Sequence, residues 1–227
     1  ELGASCLDGL CDVKAGGSNF GQSLYLNPAG DTSTGTLSNA IGNIAIGEDA
    51  ARCLTGGSYN VHVGYCTGYA MQTGCNNVQI GQYAGLSRTA GNDNVSIGRS
   101  AGRYGTGSSN VSVGVLAGHG NGAYTKNVAI GACALNQANS GAGNTALGYT
   151  AGCSITTGCN NVMLGHCALP SAATASSELV IGSVNSGGVF KWICGTSNGL
   201  VCFPNNICSA SINGTAYTAF PGCGANV

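Results

Sequence analysis

The sequence predicts an all-β fold, a parallel β-solenoid of about nine coils, each about 17 residues long. Three observations predict it. A five-residue phrase of the form Asn-Val-x-Ile-Gly returns at a nearly fixed step. Within each phrase apolar residues alternate with a variable one. Between phrases the chain is rich in Gly, Ser, Thr and Asn, the residues of tight turns. A repeat this short cannot bury a face alone, but stacked copies can.

The phrase is headed by Asn43, Asn60, Asn77, Asn94, Asn110, Asn127, Asn144 and Asn161, and a ninth copy starts at Glu178. Every step is 17 residues except the 16 between Asn94 and Asn110. Residues one and three after the Asn are apolar in every copy except at Thr145. Period two with β-branched residues is the pattern of a strand with one buried face. The expected core is therefore Ile46, Val63, Ile80, Ile97, Val113, Ile130, Leu147, Leu164 and Ile181, with the variable residue between the apolar pair facing outward. The eight Asn are expected to form a structural side-chain ladder that satisfies turn backbone.

After each strand the Gly ends the strand or permits a turn. A second short motif follows, as in Ala84-Gly85, Ala101-Gly102, Ala117-Gly118 and Ala151-Gly152. One coil is thus expected to hold about two short strands and two turns. At a strand spacing of about 4.8 Å, nine coils give a rod roughly 40 Å long. Several Gly per unit and the absence of a 3.6 period argue against a helical solenoid. The chain divides into residues 1–38, a Cys-containing cap or linker, the repeat domain 39–183, and a Cys-rich β cap or assembly segment 184–227. Alternation in Ser209-Ala210-Ser211-Ile212 and Thr215-Ala216-Tyr217-Thr218 suggests strands in the last.

Composition narrows the function. Charged residues are 7% of the chain and the net charge is −1, which gives no electrostatic basis for binding nucleic acid or an anionic membrane. No apolar run approaches the roughly 18 residues of a spanning helix, so no membrane insertion is expected. The 40 Gly lack the strict triplet period of collagen. The 13 Cys without a metal motif point to an oxidising compartment. The chain starts Glu1-Leu2-Gly3-Ala4 without a signal peptide, as a mature or fragmentary chain would.

The phrase Asn-Val-x-Ile-Gly, followed by Ala-Gly and a Gly-rich turn, resembles the left-handed β-roll of trimeric autotransporter adhesin heads and related phage and viral fibre proteins. The resemblance covers roughly residues 39–183. The closing stretch Lys191-Trp192-Ile193-Cys194-Gly195 is similar to the end of such repeats in viral fibres. The resemblance implies left-handed coiling, a homotrimer, display at a cell or virion surface, binding of a host-surface receptor or glycan, and no catalytic residues. The 17-residue coil is closer to the viral-fibre type than to the shorter adhesin repeat.

The cysteines are disulfide candidates: Cys6, Cys11, Cys53, Cys66, Cys75, Cys133, Cys153, Cys159, Cys167, Cys194, Cys202, Cys208 and Cys223. No two neighbouring coils carry Cys at one phase. Cys133 and Cys167 share a phase two coils apart, about 9.6 Å, beyond the Cα separation of about 7 Å that a disulfide spans. Cross-coil pairs such as Cys66–Cys75 or Cys159–Cys167 stay open, as do bridges between chains, and the odd count suggests at least one inter-subunit bridge.

No catalytic chemistry is legible. The three His are scattered, His62 at the strand position expected to face solvent and His119 and His166 in or near turns, and no Cys-x-x-Cys exists, so no zinc site is expected. Asp does not recur coil by coil, as a calcium solenoid would require. No nucleophile elbow or phosphate loop sits in a strand–turn–helix context. No cofactor is expected. Asn94 and Asn110 head sequons that an inward ladder would seal, which leaves Asn213 as the glycosylation candidate. The function expected is an extracellular structural or adhesive fibre protein that is not an enzyme. The alternatives are a subunit polymerised end to end into a filament, and a glycan- or ice-binding solenoid.

Overall fold

The computed structural model describes residues 13–15, 23–26, 40–185, 188–195, 201–202, 211–212 and 215–216. Cys6, Cys11, Cys208, Cys223 and Asn213 lie outside the described residues. The described chain is all-β, without a helix, and forms a β-solenoid whose coils place one three-residue strand each in a common sheet.

The sheet begins with β1 (Val13–Ala15), antiparallel to β2 (Leu24–Leu26). From β2 onward the strands run parallel: β3 (Ile44–Ile46), β4 (Val61–Val63), β5 (Val78–Ile80), β6 (Val95–Ile97), β7 (Val111–Val113), β8 (Val128–Ile130), β9 (Thr145–Leu147), β10 (Val162–Leu164) and β11 (Leu179–Asn185). Register follows the repeat, with Ile44 opposite Val61 and Val61 opposite Val78. The short step is absorbed without a slip, since Val95 stands opposite Val111. At the far end β12 (Gly188–Gly195) returns antiparallel on β11, and β13 (Val201–Cys202) pairs with β12. A separate hairpin joins β14 (Ser211–Ile212) and β15 (Thr215–Ala216). β2 adds a rung before the first Asn phrase. Its sequence, Ser23-Leu24-Tyr25-Leu26, lacks both the Asn and the Gly that mark the others.

The expected second strand of each coil does not form among the described residues; a turn of left-handed backbone takes its place. Non-Gly residues at the sixth position after the Asn have positive φ in coil after coil, among them Cys66 (51°), Leu116 (58°), Cys133 (58°) and Thr150 (51°). Such a conformation costs roughly 1–2 kcal/mol for an L-residue. It is held by hydrogen bonds to the preceding coil, as in Cys66 N to Glu48 O at 2.9 Å, Leu116 N to Arg99 O at 3.0 Å and Thr150 N to Ala132 O at 2.8 Å. Two positions further on, the next amide bonds in the other direction, as in Gly68 N to Ala84 O at 2.9 Å. The turns are thus laddered like the strands, but through alternating backbone handedness instead of extended chain.

The strand-ending glycines stack into a column. A Cβ on Gly98 would lie 2.7 Å from the carbonyl oxygen of Gly114, and Gly98 has φ of 124°. The same approach recurs at Gly47, Gly64, Gly81 and Gly114. Glycine is needed there for both space and φ.

The interior corrects the expected core. The strand residue that faces inward is the middle one: Ala45, His62, Gln79, Ser96, Ser112, Ala129, Ala146, Met163 and Val180 are all buried. Ile46, Ile80, Ile97, Ile130 and Leu147 are exposed, and Val63, Val113, Leu164 and Ile181 are half-buried. Period two places the Asn and the second residue after it on one face, and the first and third on the other. An inward Asn ladder therefore excludes inward Val and Ile. The ladder prevails because the coil is narrow. Besides the Asn, each coil buries the strand centre, an Ala or other small residue such as Ala84, Ala101 or Ala117, and a third group such as Leu54, Met71 or Ile155. Two β-branched side chains per strand would overfill that section.

Candidate functional site: the outward sheet face and the ladders

The Asn ladder is continuous. Each Asn backbone N–H donates to the side-chain oxygen of the Asn one coil earlier, at 2.9 Å for Asn60 to Asn43 Oδ1 and 2.7 Å for Asn144 to Asn127 Oδ1. Seven of the eight Nδ2 groups donate to a turn carbonyl fourteen residues on, as Asn60 does to Gly74 O at 2.8 Å and Asn144 to Gly158 O at 2.8 Å, while Asn94 Nδ2, at the head of the 16-residue coil, donates to Asn92 O at 2.9 Å. Ser23 Oγ accepts from Asn43 N at one end, and Glu178 N donates to Asn161 Oδ1 at the other, both at 2.9 Å. All eight Asn are buried, so the sequons at Asn94 and Asn110 are sealed inside.

A second ladder runs in two stretches along the turn two residues before the Asn, broken at Thr125, and repetition alone does not single it out because its residue type varies. Ile41 N donates to Ser58 Oγ, Ser58 N to Cys75 Sγ, Cys75 N to Asn92 Oδ1 and Asn92 N to Ser108 Oγ, at 2.8–3.3 Å. Ala142 N to Cys159 Sγ and Cys159 N to Ser176 Oγ continue it. Cys75 and Cys159 thus take acceptor places that Ser and Asn hold elsewhere, at the longer distances of a weakly accepting sulfur.

Among the described residues the candidate pairs Cys66–Cys75 and Cys159–Cys167 are not bridged. Cys53, Cys66, Cys75, Cys133, Cys153, Cys159 and Cys167 carry free thiols. Cys66 donates to Asp49 Oδ2 at 3.9 Å, and burial raises its pKa and that of Cys153. Cys167 lies 2.8 Å from Thr150 Oγ1. Strand register places Cys194 opposite Cys202.

His62 also departs from expectation. It is buried at the strand centre, where Nδ1 lies 3.0 Å from Gln79 Oε1. Burial lowers its pKa to about 4 and holds the ring neutral at pH 7. Since the Gln oxygen only accepts, the proton sits on Nδ1. His119 and His166 lie on the turns, His119 edge-on to Tyr104 and His166 stacked on Tyr149. Among the described residues no three His, Cys, Asp or Glu gather as a metal site would require.

The largest outward feature is the sheet face. Two files of apolar side chains, the first and third residues of each strand, run its length with a rung every ~4.8 Å. Neither file contains a charged residue. Ile44 is 39% exposed and Leu147 49%. Val115 and Tyr149 extend the apolar surface past the strand-ending glycines.

A different surface lies on the turn after the Ala-Gly motif. There Arg103 sits between the rings of Tyr83 and Tyr104, 5.1 and 5.0 Å from their centroids. Tyr65 meets Tyr83 edge-on at 5.4 Å, and Arg52 lies over Tyr69 at 5.5 Å. Cationic and aromatic groups thus alternate along several coils. Arg52, Tyr69 and Arg103 share one phase, nine residues after the Asn, but the residue type there changes from coil to coil and Tyr65, Tyr83 and Tyr104 lie at other phases, so sequence periodicity does not disclose the cluster.

Comparison of the chain with family models, with curated proteins and with solved structures finds no match in any of the three.

Proposed function

We propose that this protein is an extracellular structural fibre or adhesive protomer that works as a self-associated, homotrimeric assembly, with the outward sheet face as its contact. One observation carries the reading: two files of outward side chains, apolar everywhere except at Thr145, along one continuous sheet. Ile44, Ile46, Ile80, Ile97, Ile130 and Leu147 are exposed along the face and would be its contact residues. Isolated soluble chains rarely leave a large contiguous apolar patch uncovered. The face also has no groove or polar anchor that would select a small molecule, whereas a second copy presents the same spacing of ridges every coil. The abundance of Cys and the scarcity of charge suit a durable extracellular part, attached at a cell or virion surface.

Sedimentation of the intact chain tests this. A species of three chain masses, each 22.2 kDa, is expected at micromolar concentration. Ile80→Lys combined with Ile130→Lys should yield monomers with an unchanged far-ultraviolet spectrum. A wild-type chain that stays monomeric at tens of micromolar would overturn the reading.

A second reading is favoured by the Arg52–Tyr69 and Tyr83–Arg103–Tyr104 surface, since aromatic faces beside guanidinium groups suit the apolar faces and hydroxyls of sugars. In that case the assembly attaches to a glycan. Loss of glycan-array binding in Arg103→Ala, with the sedimentation profile retained, separates attachment from assembly. End-to-end filament growth would instead show as long particles in negative stain.

A further inference from the structure

Arg88 occupies an interior position that Leu54, Met71 and Ile155 fill in other coils, and it is completely buried. The next coil has Gly105 at the equivalent place; Tyr124 fills the room that Gly105 leaves, and Arg88 reaches that coil beside Gly102. Arg88 Nη1 donates to Gly107 O at 2.6 Å. Its Nε and Nη2 reach no protein acceptor. Gln79 Nε2 and Ser96 Oγ, on the same and the next coil, are buried without a partner as well.

These unpartnered groups share a chemistry. Arg88 Nε–H, Arg88 Nη2–H, Gln79 Nε2–H and Ser96 Oγ–H are all donors. The Gln79 amide is oriented by His62, whose Nδ1–H engages Oε1 and leaves Nε2 to face elsewhere. They lie on adjacent levels of one interior column: Gln79 Nε2 beside Gly85, and Ser96 Oγ and Arg88 Nη2 beside Gly102. Those levels are about 4.8 Å apart. No carboxylate acts on the guanidinium; the titratable group that does is Tyr124, a buried phenol whose pKa is raised and whose hydroxyl donates to Gly118 O. A buried guanidinium without a counter-charge is strongly destabilising. Water would accept two of the hydrogen bonds and leave the charge uncompensated.

We propose that the solenoid interior between Gly85 and Gly102 is a binding site for one small monovalent anion of the halide class, held by Arg88 with Gln79 and Ser96. Size favours a single-atom ion. The donors stand on levels only about 4.8 Å apart, a separation that one atom bridges and a tetrahedral oxyanion overfills. The ion would neutralise Arg88 and accept the donors on two coils at once, joining them at the point where the 16-residue coil interrupts the repeat.

Two measurements on the intact protein test the site, one for rapid and one for slow exchange of the ion. Melting is compared in sodium chloride, sodium bromide and sodium gluconate at equal ionic strength. With halide 100-fold above its dissociation constant, the transition should rise by about 5–10 °C over gluconate and saturate. If the ion is trapped, protein desalted into gluconate should instead release one halide per chain on unfolding in urea, read by ion chromatography. Arg88→Met should lose both responses. Ser96→Ala, which keeps the charge, should fold and raise the halide midpoint about tenfold. A wild-type chain with equal melting in halide and gluconate and no halide released on unfolding overturns the proposal, as does a halide response that survives in Arg88→Met.

Discussion

Replacing Asn77 by Ala is expected to be among the most damaging single changes that leave the apolar surface untouched. Asn77 Oδ1 accepts from Asn94 N at 3.1 Å and from Asn94 Nδ2 at 2.9 Å. Its Nδ2 donates to Asn60 Oδ1 at 3.0 Å and to Gly91 O at 2.9 Å. All three ladder residues are completely buried, so water cannot replace the missing partner. The Asn94 backbone N–H is stranded, at about 1–3 kcal/mol, and the turn carbonyl of Gly91 loses a donor worth about 1 kcal/mol. Together these predict a loss of about 2–5 kcal/mol, a large share of the ~5–15 kcal/mol that holds a typical domain. In a stacked array the damage falls on two coil interfaces at once. Urea unfolding followed by far-ultraviolet circular dichroism measures it, with the exposed Gln137→Ala as control. Asn77→Asp restores the shape but sets a carboxylate against the oxygens of Asn60 and Gly91, so it should be worse at pH 7 and recover in part on acidification. An Asn77→Ala midpoint no lower than that of Gln137→Ala would refute the idea that the Asn ladder holds the coils together.

Gly98→Ala should lose several kcal/mol or fail to fold, since its Cβ would meet the Gly114 backbone at 2.7 Å, whereas Gly56→Ala, with nothing within 4 Å, should be neutral; thermal melts distinguish them. His62 gives a pH signature. Its folded pKa of about 4 lies below the ordinary 6.5, so the unfolded chain binds more protons between those values and stability falls as pH drops from 6.5 towards 4. The contribution is on the order of 3 kcal/mol, and His62→Met should remove it from the pH dependence of unfolding. Ile155→Ala, in the interior, should cost about 2–5 kcal/mol at any protein concentration. Ile97→Ala, on the outward face, should cost little in the isolated chain and act through a concentration-dependent melt.

Much of the fold was legible because the repeat is a physical requirement of stacking. Asn-Val-x-Ile-Gly fixed the strand, its register and its length, and the eight Asn announced their own ladder. Which face points inward was not legible from hydrophobicity. Val and Ile outnumber every other strand residue, yet the inward places go to Ala129, Ser96 and Gln79, because the inward Asn fixes the parity of the strand. The parity of Asn and strand centre was the overlooked clue. The second ladder was hidden for another reason: Ser58, Cys75, Asn92 and Ser108 share an acceptor and not a residue type. Left-handed turns at Leu116 and Thr150 were invisible to propensity, which disfavours them, since neighbouring coils supply the energy that holds them. Arg88 and Tyr124 required three dimensions, because both reach the coil between them, Tyr124 into the room that Gly105 leaves and Arg88 beside Gly102.

The two side-chain ladders run in opposite senses. On the Asn side, each coil's amide reaches back to the coil before it; on the Ser/Cys side, it reaches forward to the coil after. Where both ladders run, a joint is fastened from both neighbours, and a coil cannot be inverted there without setting acceptor against acceptor. The rod is a vector. A dyad perpendicular to it opposes two such vectors, while a ring about an axis parallel to it keeps them all aligned, with every chain's first coil at one pole and its last at the other.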